Sequence, residues 1–454
     1  MSARNGMLTL EELSALIQAS TIDTVLLAFT DMQGRLQGKR CAAPYFLDEV
    51  VPHAAEACNY LLAVDVEMNT VAGYAMSSWE RGYGDMVLRP DWSTLRMVPW
   101  HEATALVLCD VEWTDGSPVV ASPRQVLRGQ LDRLAERGLV ADVGTELEFM
   151  LFRDSFDTAW RQDYRGLEPA NLYNVDYSML GTARVEPVLR RIRNGMAGAG
   201  MIVESAKGEC NLGQHEIGFR YADALTTCDN HAIYKTGAKE IADQAGMALT
   251  FMAKYDEREG NSCHIHISLR SPESGGVFAG EGEHGFAPLF EHFVAGQQAC
   301  LRELCYLFAP NINSYKRFAV GSFAPNTIAW GLDNRTCAIR LVGRGAGARM
   351  ENRVPGADVN PYLALAAMLA GGLYGVENEL PLEDELVGNA YTSGREKVPG
   401  TLAAAREAFA SSKVARTALG DEVVDHYVNM ADVELTAYNA AVTDWELRRG
   451  FERL

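Results

Sequence analysis

Residues 9–19 carry apolar positions at helical spacing, and the run that follows, TVLLAFTDMQG (24–34), switches to a strand pattern ending in a turn. From there to about residue 118, short apolar runs alternate with Gly, Pro and Asp breakers. The last of them, TALVLCDVEWTDGSPV (104–119), predicts a strand running into an Asp115-Gly116 turn. The texture then changes. Ser122 can cap a helix with Pro123 at its first position, and QVLRGQLDRLAERG carries the pattern to a stop at Gly138. Beyond it, strands mix with long helices such as 226–246, 287–308 and 360–376. The pattern therefore divides the chain into residues 1–118 and 119–454.

Against this background GTELEFMLF (144–152) stands out, because it places Glu146 and Glu148 inside an apolar run. As a strand it puts both side chains on one face, about 6–7 Å apart along the backbone. Two carboxylates facing inward repel each other and are costly to desolvate, and a cation beside them relieves both problems. A strand whose solvent face happens to carry two glutamates is the other reading. Two further stretches bear on the choice. ESAKGECNLGQHEIGF (204–219) holds Glu204, Glu209 and Glu216 among glycines, and NSCHIHISL (261–269) sets His264 and His266 on one strand face. RMENRVPGADVNPY (349–362) adds Glu351 between Arg349 and Arg353. Carboxylates with imidazole, and no thiolate pattern, suit a hard ion such as Mg²⁺ or Mn²⁺. Arg317, Arg335, Arg340, Arg344, Arg349 and Arg353 follow closely. Arginines beside hard-cation ligands suggest phosphoryl transfer, although neither a P-loop nor a GxGxxG after a strand occurs.

Composition narrows the partners. A net charge of −19 without a basic stripe argues against nucleic acid. The nine cysteines are scattered and form no CxxC pair, which fits a reduced, cytoplasmic setting. PYLALAAMLAGGLYGV (361–376), the longest apolar run, is shorter than a membrane span and reads as a buried helix. The first residues show no apolar signal core, so no membrane association is expected.

With these stretches assembled, the sequence resembles a class I glutamine synthetase. The likeness runs through DMQGRLQGKR (31–40), GYGDMVLRPD (82–91), GTELEFMLF, GQHEIGFRYADAL (213–225), CHIHISL, NRTCAIRL (334–341) and VNPYLALAAM (359–368), in the family's order. The resemblance implies an α+β fold: a small N-terminal β-grasp domain (1–118), then a catalytic domain (119–454) with a curved antiparallel sheet and helices. It also implies a large ring-shaped homo-oligomer, most simply a dodecamer. By the same resemblance Glu146, His264 and Glu351 match the ligands of one metal ion, and Glu148, Glu209 and Glu216 those of another. Glu204, Tyr221, His266, Ser268 and Arg349 match positions on the nucleotide side. Gly260, Arg317 and Arg353 match positions that hold glutamate, and Arg335 and Arg340 those that steady the transferred phosphoryl group. The implied chemistry is phosphorylation of the γ-carboxylate of glutamate by ATP, followed by displacement of phosphate by an amine.

Three departures concern the amine. The family's DGSS-type loop is missing, the corresponding region reading AMSSWERGYGDM (75–86). The flap glutamate beyond Arg317 is replaced by Phe323 in GSFAP, and Lys207-Gly208 stands for a pair of histidines. Ammonium binding needs clustered negative charge, whereas an aromatic flap offers contact to an alkyl chain. The expected function is an ATP-dependent ligase of glutamate and a small primary amine, ethanolamine first, with Phe323 and Trp79 near the alkyl part. Glutamine synthesis from ammonium, a γ-glutamylpolyamine synthetase and a non-catalytic regulatory relative are the alternatives. The six ligating positions argue against the last.

Overall fold

The computed structural model describes residues 5–454. Its first helix, α1 (Leu10–Gln18), starts at a reciprocal cap in which Thr9 and Glu12 satisfy each other's backbone N–H groups. Strands β1 (Thr24–Thr30), β2 (Leu36–Ala42), β3 (Ala55–Cys58), β4 (Asp85–Pro90), β5 (Arg96–Met97) and β6 (Thr104–Trp113) then build a six-stranded sheet. Its order is β2-β1-β6-β4-β3, with β5 paired to β6, and β1 runs parallel to β6. The central strands are apolar on both faces for a physical reason. Val25, Leu27, Phe29, Ala105, Val107, Cys109 and Val111 pack toward the α1 side, while Ala28, Leu106 and Leu108 join the core of the larger part.

Helix α2 (Pro123–Ala135) follows, and the proposed division at residues 118/119 falls in the link before it. This helix ends at Ala135 rather than running to Gly138, which instead takes a positive φ of 68° in the turn. Ser122 precedes Pro123 as expected, but its side chain makes no capping bond. Arg124 of α2 is buried and ties the parts together. It donates to Asp91 at 2.7 Å and Asp110 at 2.5 Å from the small sheet, and to both oxygens of Asp229 at 3.0 and 2.9 Å. Such a charge is tolerable in the interior only because it is paired on every side.

The second sheet has ten strands. Its main path joins β7 (Val140–Phe152), β8 (Val203–Gly208), β9 (Gln214–Phe219), β10 (Cys263–Ser271), β11 (Trp330–Leu332), β12 (Ile339–Val342) and β13 (Arg349–Asn352), in the order β11-β12-β13-β10-β7-β9-β8. The pairings are antiparallel except β11–β12, which is parallel, so the expected all-antiparallel sheet is modified at that edge. Helices α3 (Glu186–Gly198), α4 (Ala224–Gln244), α5 (Pro288–Phe308), α6 (Pro361–Glu377) and α7 (Asp421–Ala440) are the longer helices around it. The small residues of α6 have a packing role. A Cβ on Gly296 of α5 would lie 2.2 Å from the Gly371 carbonyl oxygen and 2.6 Å from the Gly375 backbone, so these two helices touch backbone to backbone. Among the described residues no helix is long and apolar enough to cross a membrane, and the nine cysteines are free thiols.

Candidate active site

Register decides which side chains meet on the large sheet. His264 of β10 lies opposite Glu146 of β7, and Glu216 of β9 lies opposite Glu148. Farther along, His266 pairs with Glu351 of β13, which also faces Arg340 of β12. At the other margin Lys207 of β8 faces Glu216. Directly paired residues share a face, so a row of charged and imidazole groups crosses six neighbouring strands.

The row forms two clusters. Donor atoms of Glu146, His266 and Glu351 lie within 4.8 Å of one another, and so do those of Glu148, Glu209 and Glu216. His264 attends the first cluster too, its Nδ1 standing 3.2 Å from Glu146 and 3.5 Å from Glu351. His266 Nε2 is 2.9 Å from Glu146. The residue assigned by resemblance to the nucleotide side thus also lies against this carboxylate cluster.

The electrostatics suit hard cations. Burial pushes the Glu216 carboxyl up to about 7, with Glu146 and Glu148 adding to the shift and Lys207 opposing it. Burial acts in the same direction on Glu146, but hydrogen bonds with His264 and His266 outweigh it and hold this carboxyl well below the usual range. His264 is displaced below the ordinary imidazole value by burial and by Arg353, which favours the neutral ring that can ligate a metal. Its Nε2 is buried without a hydrogen-bond partner. Crowded carboxylates plus neutral imidazole fit a hard divalent cation.

A cleft of about 400 Å³ opens over the clusters, reaching Glu146, Glu148, Glu209, Glu216 and His264. Gly260, Phe323, Arg335, Arg340 and Arg353 also line it. A neighbouring cavity of about 420 Å³ gathers Glu204, Tyr221, His266, Ser268 and Arg349. The two cavities share Glu146 and Glu216, so the metal-type clusters stand where they adjoin. Arg349 Nε reaches His266 Nδ1 at 3.3 Å.

Several arginines are fixed from behind. Arg340 donates to Glu351 at 2.8 Å and also to Asp333, while Arg353 donates to the other oxygen of Glu351. Arg317 is fully buried, bonded to Ser262 Oγ at 3.0 Å and to the Val354 carbonyl, and it does not line the cleft. Its closest service to the cleft is beneath Gly260. A Cβ on Gly260 would fall 2.2 Å from the Ala253 carbonyl oxygen and 2.8 Å from Arg317 Cγ, so only glycine fits.

Phe323 sits at the cleft mouth, 58% exposed, with a left-handed φ of 54°. Trp79 is 78% exposed and packs edge-on against Tyr83 in the small sheet's loop, away from this chain's own cleft. Sequence reasoning missed Gln214, which links Glu148 at 3.2 Å to the Gly260 carbonyl at 2.9 Å, and it missed the bracing by Asp333. Neither carries a local signal beyond being polar. Lys207, in sequence only a departure from the family's pattern, bonds Glu209 and stands 3.5 Å from Glu216.

Comparison with known proteins agrees with this geometry. Residues 120–450 match the glutamine synthetase catalytic domain family. The chain is 63% identical over 451 residues to gamma-glutamylethanolamide synthetase GlnA4 of Streptomyces coelicolor, covering 99% of this chain and 97% of that protein. It is 39% identical to glutamate–isopropylamine ligase of a Pseudomonas species, over 95% of this chain and 96% of the other. A solved GmaS–ADP complex superposes with a TM-score of 0.85 at 28% identity, covering 97% and 99% of the two chains. Sequence, register and relatives converge, and this chain belongs to the glutamine synthetase family.

Proposed function

We propose that the chain is an ATP-dependent ligase that joins the γ-carboxylate of glutamate to a small primary amine, ethanolamine first, through a γ-glutamyl phosphate. One observation carries the choice of amine: the cleft opens over the two carboxylate clusters and is lined by three arginines, yet presents Phe323 at its mouth where a flap carboxylate is expected. The similarity to gamma-glutamylethanolamide synthetase supports the same reading. Mg²⁺ or Mn²⁺ held by Glu146, His264, His266 and Glu351, and by Glu148, Glu209 and Glu216, would neutralise phosphate charge and polarise the acceptor oxygen. Glu204, Tyr221, His266, Ser268 and Arg349 take the nucleotide side. Gly260 and Arg353 receive glutamate, and Arg317 acts from beneath by holding that floor in place.

Arg335 and Arg340 steady the phosphoryl group in transit. Because Asp333 and Glu351 already orient Arg340, little reorganisation accompanies charge development. The γ-carboxylate oxygen attacks the terminal phosphorus and ADP leaves. The amine nitrogen then attacks the acyl carbon, loses a proton and expels phosphate. The assembly in this reading is a cytoplasmic homododecamer, in which a neighbour's loop carrying Trp79 completes the amine end of the cleft. The nine free thiols support a reducing compartment.

Asp176 and Glu259 also line the cleft and could hold ammonium, which makes glutamine synthesis the reading to test against. Phosphate release should be measured with ATP, glutamate and a panel of ammonium, ethanolamine, isopropylamine and putrescine, with products identified by mass. Ethanolamine should give the highest kcat/KM and the γ-glutamyl amide. Faster turnover with ammonium than with any organic amine would replace the proposal with glutamine synthetase.

A further inference from the structure

We infer that Lys207 is a resident cation of the Glu148–Glu209–Glu216 cluster, which a divalent ion must displace, so that this cluster loads after the one at Glu146 and Glu351. The inference rests on the two-ion reading above and adds an order of loading and its cause. Strand register fixes the base of Lys207 opposite Glu216, and its Nζ bonds Glu209 while standing 3.5 Å from Glu216. Those carboxylate oxygens are the lone pairs a hard ion needs, and an ammonium group donating to them excludes it by occupancy and by charge.

The displaced group has somewhere to go. Nζ lies 5.1 Å from the centre of the Tyr177 ring, which is 72% exposed and can hold a cation on its face. The close approach of these segments is built in. A Cβ on Gly208 would fall 2.3 Å from the Val175 carbonyl oxygen, and Tyr177 N–H donates to the Gly208 carbonyl at 3.4 Å. At the other cluster the compensating cations, Arg340 and Arg353, bond the two oxygens of Glu351, while Glu146, whose partners are His264 and His266 rather than a lysine, faces the cleft with His264. That site can accept an ion without expelling a side chain.

The test is Mn²⁺ binding to the intact, metal-stripped oligomer, with free Mn²⁺ read by electron paramagnetic resonance. Wild type should bind two ions per chain with unequal affinity. Lys207→Gln and Lys207→Met should tighten the weaker class at least tenfold and leave the stronger unchanged, whereas Lys207→Arg keeps it weak. Metal-free Tm should fall in the two neutral variants and rise more steeply on adding Mn²⁺, with circular dichroism and sedimentation reporting an intact assembly. Unchanged or weakened binding in the neutral variants overturns the inference while leaving two ions in place. A single ion per chain in both wild type and Lys207→Gln overturns the two-ion reading itself. A crystal structure of wild type with Mn²⁺ provides an independent check: Nζ should have left Glu209, and an ion bound with that contact intact refutes the displacement.

Discussion

Replacing Phe323 by Ala tests the basis of amine choice with one side chain. Alanine keeps a Cβ at the left-handed φ of 54°, so the backbone strain is held nearly constant, whereas glycine would relieve it and confound the result. The ring is 58% exposed, so most of its surface is free to meet a substrate's alkyl chain. Ethanolamine brings two methylenes, worth about 0.8 kcal/mol each when fully buried. A ring covers one side of such a chain, so about 1 kcal/mol is at stake, or about a fivefold loss in kcat/KM. Ammonium has no carbon to lose and its rate should not fall. The assay is phosphate release at saturating ATP and glutamate, with methylamine, ethylamine and propylamine added to the panel. In wild type log kcat/KM should climb with each methylene, and in Phe323→Ala the climb should flatten. Phe323→Glu should go further, raising ammonium use at ethanolamine's expense. Equal slopes in wild type and Phe323→Ala would refute the argument, because the ring would then be shown not to touch the chain.

Two other perturbations address the metals and the fold. Glu148→Ala should abolish phosphate release, and Glu148→Gln should do the same while retaining an acceptor for the Ser262 N–H now at 2.6 Å; activity surviving EDTA in wild type would contradict the requirement for divalent ions. His426, buried between Tyr74 and Tyr427 with Nε2 2.9 Å from Met32 Sδ, is pushed down to about 4 by burial. Its unfolded value is near 6.5, so the unfolded state binds the extra proton and stability is lost as pH falls from about 6.5 toward 4. By pH 5 this amounts to about 2 kcal/mol at about 1.4 per unit, and His426→Phe should lose correspondingly less stability between pH 7 and pH 5 in thermal or urea unfolding. An unchanged acid slope would show that the imidazole is not the titrating group.

What was legible in the sequence follows from how local each feature is. The pairing of Glu146 with Glu148 on one face follows from the two-residue period of a strand, and both do face the same row. The long helices were readable within two residues because their apolar faces and boundary residues are local; 226–246 is observed at Ala224–Gln244 and 360–376 at Pro361–Glu377. Cross-strand register is not local. Nothing within ESAKGE states that Lys207 will stand opposite Glu216, and nothing near Asp333 states that it will brace Arg340. Arg317, which the resemblance matches to a glutamate-holding position, is fully buried, and its depth is set by segments contributing Ser262 and Val354 from elsewhere in the chain. The apolar second face of the small sheet was likewise invisible until the larger core was there to cover it.

The same nonlocal register limits which substitutions can report on glutamate binding. Glu351 is fully buried and paired with Arg340 and Arg353, and against the opposing effect of burial His264, Arg353 and His266 hold its carboxyl below the usual range. Removing Arg353 therefore does two things at once. It deletes a proposed contact to glutamate, and it leaves a buried carboxylate short of a partner, an imbalance that typically costs about 3–5 kcal/mol. Lost activity in Arg353→Ala would not distinguish these effects. Arg317 is no cleaner, since it bonds Ser262, whose N–H in turn holds Glu148 of the other cluster. Arg335 differs from both: it lines the cleft without being built into the buried network. On the proposed roles, chemistry and scaffold are separable at Arg335 and Phe323, and inseparable at Glu351 and the arginines paired with it, because there the charges assigned to the reaction also neutralise a buried carboxylate.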